Sequence, residues 1–224
     1  MMHLIDLSHE VGDGVVTYPG LPAPVVCDFL SREDSRSHYS DGTTFQIARI
    51  DLVANTGTYV DSPFHRFEEG VDLADLDLAK LAHVEGIVVD ARGQGRALGP
   101  ELFDGLPLAD RAVLVLTGWD HHWATPAYAE GHPYLTRAAA ELLAQSHPSL
   151  VGIDSLNIDD IQDGARPVHT RLLGAGIPIV EHLCNLAELP SSGFRFHAVP
   201  VKFRGVGTFP VRAYAVVDDA AGAV

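Results

Sequence analysis

The stretch Val168-His169-Thr170-Arg171-Leu172-Leu173-Gly174-Ala175-Gly176-Ile177-Pro178-Ile179-Val180-Glu181 reads as a helix, a stop and a strand. Residues 168–175 suit a helix, and Gly176 supplies the position just past its end, where a left-handed backbone closes many helices. Residues 177–180 are apolar throughout, as in a strand covered on both faces. A helix feeding a buried strand is the repeating unit of α/β architecture. The unit also carries polar groups at its two ends. His169 stands at the helix start, and Glu181 stands where the strand stops. Helix starts and strand ends are where α/β proteins assemble sites. A carboxylate that follows four apolar residues is unfavourable unless paired, protonated or bound to a cation. A core ion pair is the competing account of Glu181.

Working outward, short β-branched runs at residues 3–7, 45–52, 84–90, 112–117 and 150–153 read as buried strands, as do 197–201 and 211–217 near the C-terminus. Residues 86–90 and 112–116 do not alternate in polarity, so both of their faces should be covered. The clearest helix follows Pro133, with Thr136 as its cap and Ala139, Leu142 and Leu143 as its apolar stripe. Shorter helices are expected over 73–81 and 99–106. Residues 12–24 and 204–210 are rich in glycine and proline and suit ordered turns or substrate-facing loops. Strands alternating with helices indicate one mixed α/β domain over residues 1–224.

The chain has 224 residues, 46% of them hydrophobic. At this size a single core buries roughly 70% of the unfolded surface. There are 30 acidic against 15 basic residues, for a net charge of −15. That balance argues against nucleic-acid backbones and anionic membranes, which both select Lys and Arg. No apolar run is long enough to span a bilayer. The N-terminal stretch MMHLIDLSHE lacks the basic-then-apolar order of a signal peptide, so a cytoplasmic location is expected. In a reducing compartment Cys27 and Cys184 read as buried small hydrophobes without a disulfide. Twelve histidines favour an enzyme, because imidazole ligates metals and moves protons near neutral pH.

The densest polar segment is Asn55-Thr56-Gly57-Thr58-Tyr59-Val60-Asp61-Ser62-Pro63-Phe64-His65. Gly57 and Pro63 oppose a regular helix. Asp61 and His65 could serve as a metal ligand with a general base, or as an oriented acid/base pair. A turn with a surface hydrogen bond is the plainer alternative.

Taken together, the two segments resemble the cyclase family, which includes bacterial kynurenine formamidase and isatin hydrolase. The first is similar to the family motif His-x-Gly-Thr-His-x-Asp-x-Pro-x-His. The second is similar to its His…Gly-Ile-Pro-Ile-x-Glu block, followed here by Asn185-Leu186 and Leu189-Pro190. Ile5-Asp6-Leu7-Ser8-His9, Tyr18-Pro19-Gly20, Thr117-Gly118-Trp119-Asp120, Gly152-Ile153-Asp154-Ser155 and Pro210-Val211-Arg212-Ala213 extend the resemblance over nearly the whole chain. It implies a barrel-like mixed sheet flanked by helices, and dimers or tetramers with sites near the interface. It implies metal-ligand positions at Asp61, His169 and Glu181, and a catalytic acid/base at His65. Asn55 and Tyr59 stand where the family has ligand histidines. Asn55 is then a weaker amide ligand. Tyr59 is either a phenolate ligand or a hydrogen-bond donor to the developing oxyanion.

The implied activity is hydrolysis of a carbon–nitrogen bond in a small amide or cyclic amide. It would be assisted by a divalent metal (manganese or zinc, then magnesium) without an organic cofactor. A lyase or cyclase of secondary metabolism and a non-catalytic small-molecule binder are the alternatives. Among the remaining histidines, His9 suits a substrate loop or a structural hydrogen bond. His121 and His122 suit an aromatic loop or a substrate lid. His182 should point away from Glu181 if its strand continues. Lys202 and Arg212 suit pairing with acids or an anionic-substrate clamp.

Overall fold

A computed structural model gives the fold and describes residues 2–218. In chain order the strands are β1 (Met2–Asp6), β2 (Val25–Leu30), β3 (Ile47–Asp51), β4 (Tyr59–Asp61), β5 (Val84–Asp90), β6 (Ala97–Leu98) and β7 (Ala112–Leu116). They continue with β8 (Tyr134–Leu135), β9 (Leu150–Ile153), β10 (Ile179–Glu181), β11 (Ser192–His197), β12 (Thr208–Pro210) and β13 (Tyr214–Asp218). The α-helices are α1 (Arg32–Ser35), α2 (Arg137–Ser146) and α3 (Pro167–Gly174).

Nine of the strands form one mixed sheet in the order β1-β13-β11-β5-β7-β9-β10-β4-β12, curled into a half-barrel. β5, β7, β9 and β10 run parallel at its centre, and the flanking strands pair antiparallel. α2 and α3 lie in the connections into β9 and β10 and cover one face. Val113 and Val115 of β7 point to that face and pack with Leu143 and Leu172. Ala112, Leu114 and Leu116 point to the other, against Leu7, Leu183 and Leu186. The unbroken apolar run of β7 therefore has a physical cause: each face has its own core.

Thr136 caps α2 by accepting from the Ala139 N–H at 3.2 Å, and the apolar stripe buries Ala139 and Leu143. Gly176 follows α3 with φ +72°, as its position predicts.

Several expectations need correction. Residues 73–81 and 99–106 hold only the 3-10 turns Leu78–Lys80 and Pro100–Phe103. Asp72 and Asp77 accept from backbone N–H groups two and three residues ahead, a local alternative to helical bonding. The strand expected over 197–201 ends at His197, because its residues pair earlier, from Ser192. Residues 211–217 do not form one strand. β13 begins at Tyr214 and lies between β1 and β11, so both of its edges are paired within the chain. β1 is an edge strand and largely exposed rather than buried.

Residues 45–52 depart furthest from expectation. β3 pairs with β2 as a separate two-stranded ribbon, and all of β3 is exposed. Cys27, in β2, is exposed as well, whereas Cys184 is buried; both are free thiols.

Candidate active site

β4 is three residues long and wholly buried between β10 and β12. Its register puts Tyr59 opposite Glu181, and Asp61 opposite both Ile179 and Thr208. Side chains alternate along a strand, so Tyr59 and Asp61 share a face, and directly opposed residues share it too. The Tyr59 hydroxyl accordingly donates to Glu181 Oε2 at 2.6 Å. Glu181 Oε1 accepts the Ile158 N–H at 2.7 Å.

α3 brings in the imidazole. Asp159, just ahead of the helix, accepts from the Val168 and His169 N–H groups at 2.7 and 3.0 Å. The same carboxylate holds His169 Nδ1 at 2.7 Å. With Nδ1 bound there, Nε2 faces Asp61 Oδ2 at 3.6 Å and Glu181 Oε1 at 3.8 Å. Both gaps are too long for hydrogen bonds. Asp61 is fully buried, and its Oδ2 has no hydrogen-bond partner.

Such a cluster sets its own protonation. Burial opposes a charge on His169, but Glu181, the Asp159 hydrogen bond and Asp61 outweigh it and lift its pKa to about 10. Burial lifts Glu181 to about 7, against the pull of His169 and with the push of Asp61. Burial would raise Asp61 too, yet His169, His65 and Thr208 hold it below the usual carboxylate range. Without a cation, a protonated His169 thus places positive charge opposite Asp61 and Glu181. A divalent cation fits the same place. Asp61 Oδ2 and His169 Nε2 already converge, and a carboxylate bound to the far nitrogen is the usual support for a metal-binding histidine. Asp61, His65 and His169 each offer a ligand atom within 4.8 Å of the others.

His65 closes the 3-10 turn Pro63–His65 after β4. The Thr208 hydroxyl donates to Asp61 Oδ1 and lies 2.8 Å from His65 Nδ1. With its proton directed to Asp61, the hydroxyl oxygen accepts from Nδ1–H. That fixes the tautomer and leaves Nε2 of His65 free to accept a proton. The side chain is 35% exposed, so water and small molecules reach it.

Tyr59, His65, His169 and Glu181 line a cavity of about 310 Å³ together with Asn55. The Asn55 amide lies close enough to the Tyr59 phenol to oppose part of its pKa rise. Burial, with the charges of Glu181 and Asp61, pushes the phenol pKa well above its ordinary value, so Tyr59 keeps its proton. That direction holds for the cation-free site; a cation beside Asp61 would act the opposite way on the phenol.

Residues 5–160 match the family model described as "Putative cyclase". The chain belongs to the cyclase family. Curated relatives named kynurenine formamidase include one from Salinibacter ruber, 29% identical over 98% of this chain and 99% of its own length. One from Bacillus cereus is 25% identical over 93% and 95%. Among solved structures, isatin hydrolase A from Labrenzia aggregata superposes with a TM-score of 0.81 at 22% identity, covering 96% of this chain and 94% of that one. A "potential metal-dependent hydrolase with cyclase activity" gives 0.81 at 24%, over 98% and 100%. These two likenesses establish the shared fold.

Two polar groups of this cyclase-family site escaped the sequence. Asp159 stands among the acids of residues 154–163, and Thr208 in a stretch that suits ordered turns or substrate-facing loops. The β10 strand ends at Glu181, and His182 turns left-handed at φ +55°. Its ring packs 5.1 Å from that of Tyr59, with Nδ1 2.8 Å from the Tyr128 hydroxyl. His9 stacks on Trp123 at 4.0 Å. Arg212 forms an ion pair with Asp6 at 2.6 Å rather than facing the site. Among the described residues no helix is long and apolar enough to cross a membrane.

Proposed function

We propose that this chain hydrolyses the carbon–nitrogen bond of a small amide or cyclic amide. A divalent cation would be held by Asp61, His169 and Glu181, with His65 as general acid/base. One geometric fact carries this: a buried carboxylate oxygen without a partner faces an imidazole nitrogen at 3.6 Å, beside a histidine open to the pocket. The relatives named kynurenine formamidase support the amide. Manganese or zinc, then magnesium, suit two carboxylates and one imidazole. Asn55 would add a weaker amide oxygen.

A bound cation supplies polarisation of the amide carbonyl and acidifies water. The chain's own groups do the rest. Thr208 and Asp159 orient Asp61 and His169, so that one oxygen and one nitrogen face the reacting centre. Nε2 of His65 takes a proton from the attacking water as the carbon–oxygen bond forms. It returns that proton to the departing nitrogen as the carbon–nitrogen bond breaks. Tyr59 holds Glu181 in place with its single proton, and donation to an oxyanion would require that bond to open.

We also propose a homodimer or homotetramer in the cytoplasm. The exposed ribbon of β2 and β3 supports assembly. The C-terminal segment does not, because β13 is covered within the chain.

Turnover of formanilide and related N-aryl formamides tests the chemistry. His65→Ala should lower kcat by roughly two to four orders of magnitude, with a thermal unfolding midpoint close to wild type. Wild-type turnover in that variant would remove His65 from the mechanism.

A further inference from the structure

Two arginines at the mouth of the pocket take no part in the chemistry above. Arg166 lines the active-site cavity beside His65, His169 and Asn157. A smaller recess of about 120 Å³ shares those four residues and adds Arg66. Both arginines therefore border the space in front of His65.

Neither forms an ion pair within the chain: among the described residues no carboxylate oxygen lies within 4.0 Å of either guanidinium. Arg166 Nη1 makes two long contacts, 3.3 Å to Asn157 Oδ1 and 3.4 Å to the Asp160 carbonyl. Among the described residues its Nε and Nη2 donors have no protein acceptor. Arg66 donates from Nε to Thr170 Oγ1 at 3.2 Å, and its guanidinium sits 5.2 Å from the centre of the Phe67 ring. Among the described residues neither of its Nη groups has an acceptor.

The nearby acids are engaged elsewhere. Asp159 is fixed on Val168 and His169, Asp160 accepts the Gln162 N–H, and Asp163 accepts the Ala165 N–H. The backbone of Arg166 is left-handed, at φ 44° and ψ 61°. That conformation strains a residue other than glycine, and such strain clusters at ligand sites. In a chain of net charge −15, a pocket mouth with two unpaired guanidinium groups is suited to an anion. A guanidinium fork matches a carboxylate in two parallel hydrogen bonds.

We propose that Arg166, assisted by Arg66, forms a carboxylate-recognising subsite, and that the substrate carries a carboxylate away from the bond that is cleaved. The second half rests on the amide-hydrolase function proposed above; the first half does not. Arg166 anchors the anionic end of the substrate and sets which small amides are accepted.

Calorimetric titration of the purified enzyme with benzoate and with its neutral isostere benzamide tests the subsite directly. Wild type should bind benzoate at least tenfold more tightly. Arg166→Gln should reduce that preference to about twofold or less, Arg166→Lys should retain part of it, and Arg66→Gln should lower it by a smaller factor. Arg166→Asn, which tolerates a positive φ, replaces the Gln variant if that one fails to fold. No benzoate preference in wild type, or an unchanged preference in the Arg166 variants, overturns the subsite. An unchanged preference would assign benzoate to the cation instead. Parallel assays with formanilide and N-formylanthranilate separate the two proposals. Turnover without benzoate selectivity overturns only the subsite. Benzoate selectivity without turnover of either amide overturns only the hydrolase function.

Discussion

The phenol of Tyr59 and the amide of Asn55 give this site an unusual inner surface. Tyr59 is buried and its hydroxyl donates a hydrogen bond to Glu181, while Asn55 lines the same cavity. Neither group gives a divalent cation the neutral nitrogen that imidazole would offer. Asn55→His combined with Tyr59→His should therefore raise manganese or zinc affinity by at least about tenfold, measured by competition with a chromogenic chelator. Unchanged affinity would show that these side chains do not face the cation. The same variant removes the hydrogen bond that Tyr59 donates to Glu181, so the native reaction should fall if Tyr59 positions that carboxylate. Asp61, His169 and Glu181 were legible in sequence because each follows a local signal: a polar break after an apolar run, a helix start, a strand end. Asp159 and Thr208 were not. Each matters only through a side chain it holds, and nothing in its own neighbourhood announces that partner.

At the scale of elements, the central device is β12 lying against the turn that carries His65. Gly207 makes that approach possible: a Cβ there would run into the backbone of Phe64 and His65. Its carbonyl also accepts the Ser62 N–H at 2.7 Å. Gly207→Ala must push β12 and the turn apart, and Thr208 then cannot reach Asp61 and His65 together. Misplacement of about 1 Å costs on the order of a hundredfold in rate, so kcat/KM should fall by at least about tenfold. Cation affinity should fall by a smaller factor, because of the three ligands only Asp61 loses a partner, while His169 and Glu181 are held from α3 and β10. Wild-type kcat/KM would show the Thr208 bridge to be dispensable. The α3–β10 unit was readable from sequence because a helix, its glycine stop and the next strand are adjacent in the chain. β12 was not, because three residues among Gly205, Gly207 and Pro210 become a strand only by pairing with β4, 147 residues away at the Thr208–Asp61 bond. Residues 45–52 misled in the opposite direction, because an apolar run signals burial without saying whose surface does the burying.

For the whole molecule, that ribbon is the conspicuous exposed feature. Phe29 is 75% exposed and Ile50 61%, with Val25, Val26 and Ile47 also open. A two-stranded ribbon covered on neither face is marginal in water, and a contiguous apolar surface of this kind marks an association site. Light scattering at micromolar concentration should give twice or four times the 24.0 kDa chain mass. A monomer would show that the ribbon has another role. Phe29→Glu with Ile50→Lys should dissociate the assembly.

The central claim is that Asp61, His169 and Glu181 hold one divalent cation. Manganese binding to chelator-treated protein, followed by electron paramagnetic resonance at pH 6 and pH 8, tests it most directly. Cation entry must displace the proton of His169, whose pKa is lifted to about 10, and below about 7 that of Glu181 as well. Affinity should therefore rise with pH, by roughly tenfold per unit for each proton released, and more steeply below pH 7 than above it. The expected result is one ion per chain, tighter at pH 8 than at pH 6, and lost in His169→Ala. No stoichiometric manganese in the wild type, or undiminished binding in His169→Ala, would contradict it.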